Sequence, residues 1–209
     1  MTVIMATVGF TPAKVHPLLR AEEQKEELVL FHDRDPAGKS RRAAEEAAAE
    51  AHRLRIPVRF IAIDAFDLVQ GCQQIRGEIR KRAGSEVVVG IAGGTKVLAS
   101  AALLASILEG RRVVHVNEKT NEVQPLPLLR LRAEEVLHPR QRRVLRWVHE
   151  HPGCTQRQLA EALGLTKGTV SHHVRGLKEQ GLVVAEEDPA DARSERLRTV
   201  ASAELLLLE

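Results

Sequence analysis

TQRQLAEALGLTKGTVSHHVRGLKEQGLV, Thr155 to Val183, decides how the C-terminal third of the chain folds. Thr155 and Gln158 form a T-x-x-Q capping box, and behind them Leu159, Ala160 and Leu163 recur at helical spacing. Gly164 supplies the backbone freedom of a tight turn, and Thr166 caps a second helix. On that helix Val170, Val174 and Leu177 line one stripe, so Lys167, Gly168, Ser171, His172 and Arg175 share the opposite, wet face. This is the pattern of a helix-turn-helix. Its inner stripe anchors the second helix while donors and acceptors near the N-terminus reach base edges in the major groove. The competing reading is a helix-turn-helix that serves packing or dimerisation alone.

Working outward, Gly181 ends the second helix, Leu182 to Ala185 reads as a strand, Glu186 to Arg196 as a polar turn and Leu197 to Ala201 as a second strand, together a wing. The whole stretch resembles the winged-helix domain of MarR-type and ArsR-type transcriptional regulators, which implies double-stranded DNA as a partner. Thr166, Lys167, Thr169, Ser171, His172 and Arg175 are the expected contacts of the recognition helix, and Arg193 and Arg196 those of the wing, near the minor groove or the backbone. Arg140, Arg142, Arg143 and Arg146 crowd the preceding helix around Trp147; the arginines are expected to face the DNA backbone and the tryptophan to be core. The closing leucines of Glu204 to Leu208 are too many for a free tail and are expected to pack on the winged domain or at a dimer interface, with a disordered terminus as the alternative.

With 209 residues the chain suits two modest domains, and the expected division is residues 1–130, a linker over 131–138 and the winged helix over 139–209. A net charge of +3 says little by itself, but Arg140 through Lys178 holds eight basic residues against Glu150 and Glu161, where phosphates would lie. The segment beyond Lys178 turns acidic. Cys72 and Cys154 are too far apart for a disulfide framework or a metal-ligand spacing and suggest a reducing compartment. The N-terminus lacks a basic, signal-like region, and no apolar run approaches the roughly 18 residues of a membrane span. A cytoplasmic protein with no membrane contact, no cofactor and no metal is expected.

The first 130 residues alternate short apolar runs with helical patterns. Strands are expected at Val3 to Val8, Leu28 to His32, Val58 to Ile63, Val87 to Ile91 and Val113 to Val116, with helices near Pro12 to Lys25, Lys39 to Leu54, Ala65 to Arg82 and Thr95 to Leu108. A turn at Lys119, Thr120 and Asn121 leads into a last strand, Val123 to Leu129, which Pro125 and Pro127 make an edge. Such alternation predicts an α/β fold: an N-terminal Rossmann-like, doubly wound parallel sheet ahead of the C-terminal winged helix-turn-helix.

Two turns of this sheet stand out, Gly9 to Lys14 after the first strand and Ala92 to Lys96 after the fourth. In a doubly wound sheet these two strands lie side by side where the winding reverses, so both turns would line one crevice at their carboxyl ends. Gly93 and Gly94 let the backbone approach a ligand, the N–H groups that open the Thr95 helix favour an anion, and Lys96 adds charge. Phosphate is the natural guest, although a glycine pair after a strand also serves as plain turn chemistry. GIAGGTK does not satisfy the Walker A pattern, and no G-x-G-x-x-G follows the first strand, which disfavours ATP hydrolysis and NAD binding.

TVGF (Thr7 to Phe10), GGTK (Gly93 to Lys96) and the winged helix from Pro139 together resemble the CRISPR-associated Rossmann-fold (CARF) transcriptional regulators. The resemblance implies a non-enzymatic homodimer that binds a cyclic oligoadenylate, most often cyclic tetra-adenylate, in a cleft across its two-fold axis. Gly9, Phe10, Thr11, Gly93, Gly94, Thr95 and Lys96 would be the ligand contacts, with Ala92 standing where members often carry a hydroxyl or amide side chain. Ligand binding would change how the N-terminal domains sit together, and the linker near Leu131 to Leu137 would pass this to the winged helices, to the extent that the ligand prefers one arrangement. Two alternatives stand beside this. The N-terminal domain would be a ring nuclease, with Lys96 on the phosphate, Thr11 or a ribose hydroxyl oriented for attack, and His16 and Asp33 the nearest acid or base groups. Or the protein would be a repressor that senses something else, a metal at His172, His173 and Cys154 being the weakest version, since neighbouring helical residues point about 100 degrees apart.

Overall fold

The computed structural model describes residues 1–91, 93–117, 119–128, 132–188 and 191–207. Ala92, Leu129, Leu131 and Leu208 lie outside these residues, as does the side chain of Arg193. The chain divides into two compact units, Met1–Arg132 and Ala133–Glu209.

β1 (Thr2–Val8) is buried along its whole length. Its apolar run Val3 to Ala6, without alternation, is what a central parallel strand covered on both faces requires. It lies between β2 (Lys25–Asp33) and β4 (Glu86–Ile91); β3 (Val58–Ile63), β5 (Arg112–Val116) and β6 (Val123–Pro125) complete the order β3-β2-β1-β4-β5-β6. Five strands are parallel, and β6 runs antiparallel to β5. From β1 the chain winds outward through β2 to β3, then crosses back to β4 and winds the other way. Right-handed crossovers therefore put α1 (His16–Ala21) and α2 (Lys39–Arg53) on one face and α3 (Leu68–Arg80) and α4 (Lys96–Leu108) on the other.

On the first face Ile4, Ala6 and Val8 pack with Leu18, Leu19, Leu28 and Leu30 against the alanine stripe of α2, Ala43, Ala44, Ala47, Ala48 and Ala51. The small side chains let α2 lie close to the sheet. Gly90 does the same for Leu18: a Cβ there would stand 2.3 Å from a Leu18 methyl carbon. This packing fixes α1, and with it the turn that precedes it.

Several boundaries differ from those expected. The helix expected over Pro12 to Lys25 is a short 3-10 turn, Pro12–Lys14, followed by α1, and Lys25 already belongs to β2. Pro17 lacks the N–H that a continuous helix would bond four residues back, so the two pieces stay separate. α3 begins at Leu68, three residues later than expected, because the Asp67 carboxylate caps it by accepting the Gln70 N–H at 2.9 Å. The last strand stops at Pro125.

The second unit opens with α5 (Ala133–Val136), where a linker was expected; Ala133 is buried and its carbonyl accepts from the Arg142 guanidinium at 2.6 Å. α6 (Pro139–Glu150) turns Val144, Leu145 and Val148 inward. Trp147 is half-buried on its flank, stacked on His151 with centroids 4.2 Å apart, rather than in the core. α7 (Gln156–Leu163) and α8 (Lys167–Glu179) are the two expected helices, joined through Gly164 in the left-handed region at φ 64°.

The wing is longer than the sequence suggested. β8 (Val183–Asp188) and β9 (Asp191–Thr199) extend the pairing through residues expected as a turn, and β7 (Cys154–Thr155) adds a third strand on β9. Glu186 stands opposite Arg196 and 3.6 Å from Arg198, which favours the pairing there, whereas Glu187 opposite Glu195 does not. The C-terminus forms α9 (Ala201–Leu207), with Ala203 and Leu206 buried where α9 meets α5 and α6. Among the described residues no helix is long and apolar enough to cross a membrane.

Candidate functional site

β1 and β4 pair in register through Ala6 and Gly90, so the turns beyond them meet at the carboxyl edge of the sheet. They meet closely. A Cβ on Gly9 would come within 2.6 Å of the Gly94 nitrogen, and one on Gly93 within 3.1 Å of the Gly9 nitrogen. Gly94 adopts φ +100°, which L side chains rarely adopt. The glycines are therefore needed first for backbone-to-backbone packing, and the concavity beside them is its consequence.

Thr95 ends the second turn and caps α4: its hydroxyl accepts the Leu98 N–H at 3.0 Å and donates to the Ala65 carbonyl at 2.6 Å. One side chain thus ties the β3–α3 turn to the start of α4. The cap is neutral, so the partial positive charge of the helix N-terminus is not cancelled by a carboxylate. α2, whose N-terminus also opens at this edge, differs: Asp35 accepts the N–H groups of Lys39 at 2.7 Å and Ser40 at 3.3 Å and fills it with a negative charge. Of the two, α4 is the one left to attract an external anion.

Between these elements lies a cleft of about 400 Å³. Gly9, Phe10, Thr11, Gly93, Gly94 and Thr95 all line it. Lys96 does not; it is exposed on the first turn of α4, outside the lining. Lys14, the end of the first turn, and Asp33, which the sequence offered only as a nearby acid or base, line it too, and sequence reasoning missed Val8, Ser40 and Leu98, which complete the wall. Ser40 is buried, donating to the Val8 carbonyl at 3.1 Å and accepting the Asp33 N–H at 3.0 Å, so it locks the ends of β1 and β2 to α2. Phe10 stands 70% exposed at the rim, an unusual position for so apolar a side chain. His16 lies away from the lining, paired with Glu50 at 3.4 Å.

In the second unit the Thr166 hydroxyl caps α8, accepting the Thr169 N–H at 3.2 Å and sharing a hydrogen bond with the Thr169 hydroxyl at 2.9 Å. Val170, Val174 and Leu177 are buried, while Thr166, Lys167, Ser171, His172 and Arg175 are exposed along the other side. Arg175 lies 3.9 Å from Glu179, an exposed pair that leaves the guanidinium available to a stronger partner. Arg196 is exposed on β9 and donates to the Gly153 carbonyl at 3.4 Å, at the base of the wing.

Arg142, expected on the DNA backbone, is committed to Ala133, whereas Arg140 and Arg143 are exposed. His173 is half-buried beneath α8 with both ring nitrogens enclosed and without a hydrogen-bond partner among the described residues. Burial, then the nearby His172, His138 and Arg140, hold its pKa below the ordinary imidazole value. Cys154 is buried, which pushes its thiol up. Among the described residues no three His, Cys, Asp or Glu side chains gather as a metal site.

Residues 2–127 match the family described as the Csa3 CRISPR-associated Rossmann-like domain, and residues 137–194 match the MarR family. No curated protein matches the chain. Solved structures similar to the C-terminal part include MarR, 32% identical over 33% of this chain and 50% of that one, with a TM-score of 0.32. The PcaV transcriptional regulator of Streptomyces coelicolor, solved with its natural ligand, is 30% identical over 34% of this chain and 50% of its own, with a TM-score of 0.33. A DNA complex of S. aureus MepR is 28% identical over 34% and 60%, with a TM-score of 0.33. The chain thus spans about half the length of the solved relatives it matches. With the Csa3 match running through the whole six-stranded sheet and a MarR-family match behind it, the chain belongs to the Csa3 family of CRISPR-associated Rossmann-like proteins.

Proposed function

We propose that this protein is a transcriptional regulator that senses a cyclic oligoadenylate, most simply cyclic tetra-adenylate, in the N-terminal cleft of a homodimer and adjusts its affinity for double-stranded DNA accordingly. The observation that carries the reading is the cleft itself: two glycine turns and the neutral-capped N-terminus of α4 surround one cavity of about 400 Å³ at the point where the sheet reverses its winding. Backbone N–H groups at such an end favour phosphate, and a repeated nucleotide ring offers the same phosphate to each of two identical subunits. In the second unit Lys167, Ser171, His172 and Arg175 present donors along one exposed side of α8, the arrangement that suits a major groove. DNA affinity changes with ligand only by the difference in ligand affinity between the two arrangements of the dimer.

Calorimetric titration of the full chain with cyclic tri-, tetra- and hexa-adenylate tests the ligand. Sub-micromolar binding of one ring per two chains, weakened by Lys14→Ala more than by Lys96→Ala, is the expected result, because Lys14 lines the cleft and Lys96 does not. No binding of any ring overturns it. Operator affinity measured with and without saturating ring then tests coupling, and equal affinities would remove the coupling while leaving the DNA reader. Arg175→Ala should weaken operator binding by about 1 to 3 kcal/mol where it reads a base. Chromatography of the ring after long incubation should return it intact; an opened ring would establish the nuclease instead.

A further inference from the structure

One wall of the cleft does not suit phosphate. Asp33 is the last residue of β2, and its carboxylate lines the cavity beside Lys14 and Ser40. Its Oδ1 accepts the Ala65 N–H at 3.3 Å, while Oδ2 accepts no hydrogen bond from the described residues. The backbone around it is held rigidly, since the Asp33 N–H is bound by Ser40, and Ser40 is in turn bound to Val8. A fixed carboxylate in a partly enclosed cavity repels a phosphate and calls for a donor, a hydroxyl or an amine.

The strand order settles where that donor would sit. β1 lies between β2 and β4, so the cleft has an anion end over β4, at the uncancelled N-terminus of α4, and an acceptor end over β2, at Asp33. In a nucleotide chain the groups that flank each phosphate are the ribose hydroxyls, whereas the adenine amine lies at the far end of the base. An acidic residue at the end of the second strand of a dinucleotide-binding sheet takes a ribose hydroxyl for the same geometric reason. We propose that Asp33 accepts a hydrogen bond from a ribose 2′-hydroxyl of the bound nucleotide and so makes the cleft selective for ribonucleotide over deoxyribonucleotide ligands. This rests on the reading that the cleft holds a cyclic oligoadenylate. A signal made from RNA precursors is thereby kept apart from fragments of DNA, which carry the same phosphates and bases.

The test is a set of calorimetric titrations of the full chain and of Asp33→Asn, which keeps an acceptor for the Ala65 N–H, with unfolding midpoints confirming that both are folded. The probes are cyclic tetra-adenylate, its all-2′-deoxy counterpart and its inosine counterpart. The wild type should bind the ribose ring about 10- to 100-fold more tightly than the deoxy ring, the range of a hydrogen bond to a charged group, and Asp33→Asn should lose most of that preference. Equal binding of ribose and deoxy rings, or an unchanged preference in Asp33→Asn, overturns the proposal while leaving the cyclic ligand in place. Loss of the inosine ring with retention of the deoxy ring would put the carboxylate on the base and overturns it too. If the wild type binds none of the rings, the reading of the ligand fails on its own. The ribose preference is then read from titrations with adenosine 5′-monophosphate and 2′-deoxyadenosine 5′-monophosphate followed by NMR, where an equal response, or none, overturns the proposal.

Discussion

α4 and α8 begin alike and end as different instruments. Each has 13 residues and opens with lysine behind a threonine cap, Thr95-Lys96 in one and Thr166-Lys167 in the other. The caps work the same way, each hydroxyl accepting the N–H three residues on. The helix bodies differ: α4 continues VLASAALLASIL, apolar nearly all round, and α8 continues GTVSHHVRGLKE, apolar on one stripe only. The first is therefore packed against sheet and helix with only its N-terminus facing a cleft, and the second is set by its stripe and shows a polar flank. A helix N-terminus is the same chemical object in both. Its surroundings decide whether it opens on an enclosed cleft or on an exposed flank.

The contrast is sharpest at the glycines. Gly9→Ala pushes a carbon to 2.6 Å from the Gly94 backbone and should cost about 3 kcal/mol in the stability of the first unit, read from urea unfolding. Gly168→Ala on α8 meets nothing within 4 Å and should instead stabilise the second unit by up to about 1 kcal/mol. A neutral Gly9→Ala would break the idea that turn-to-turn contact shapes the cleft.

The caps come next in size. Thr95→Ala removes both the cap and the hydrogen bond to Ala65 and should cost about 2 kcal/mol, against about 1 kcal/mol for Thr166→Ala, both from denaturant midpoints. Equal losses would mean that the tie to the β3–α3 turn carries no weight.

The smallest effect is one of pH and belongs to α8 alone. His173 is half-buried, with its pKa held down by burial and by His172, His138 and Arg140, so the unfolded chain binds its proton more readily than the folded one. The second unit should keep its full stability above the ordinary imidazole pKa of about 6.5 and lose part of it as pH falls below that value. His173→Gln should flatten the slope between pH 7 and 5, and an unchanged slope would place the pH response elsewhere.

Much of this is legible in the chain. The capping box at Thr155, the turn at Gly164 and the stripe Val170, Val174 and Leu177 depend on neighbours within a few residues, and the structure has them as the spacing implies. The wing reads shorter in sequence than it is, because Glu186 to Arg196 is polar enough to look like a loop, and only the backbone pairing of two strands distant from each other's local signals makes it a hairpin. Trp147 reads as core on residue type alone, and its stacking on His151 depends on which flank of α6 faces inward. Lys96 reads as a cleft residue by its place after the glycines, but the first turn of α4 carries its side chain outside the lining. Asp33 is visible in sequence as a charge that ends the apolar run LVLFH and as a possible acid or base near the first turn, but not as part of the cleft wall.

The sequence by itself determined the two units, the alternation of strand and helix, the helix-turn-helix and the pair of glycine turns, because these rest on periodicity, caps and turn residues that act over short distances along the chain. Only the tertiary structure decided that Gly9 must be glycine because Gly94 lies against it, that Asp33, Lys14 and Ser40 line one cleft with the second turn, and that Lys96 does not. Those relations join residues that are far apart along the chain, and they exist only once strand order and crossover handedness have brought β2, β1 and β4 side by side.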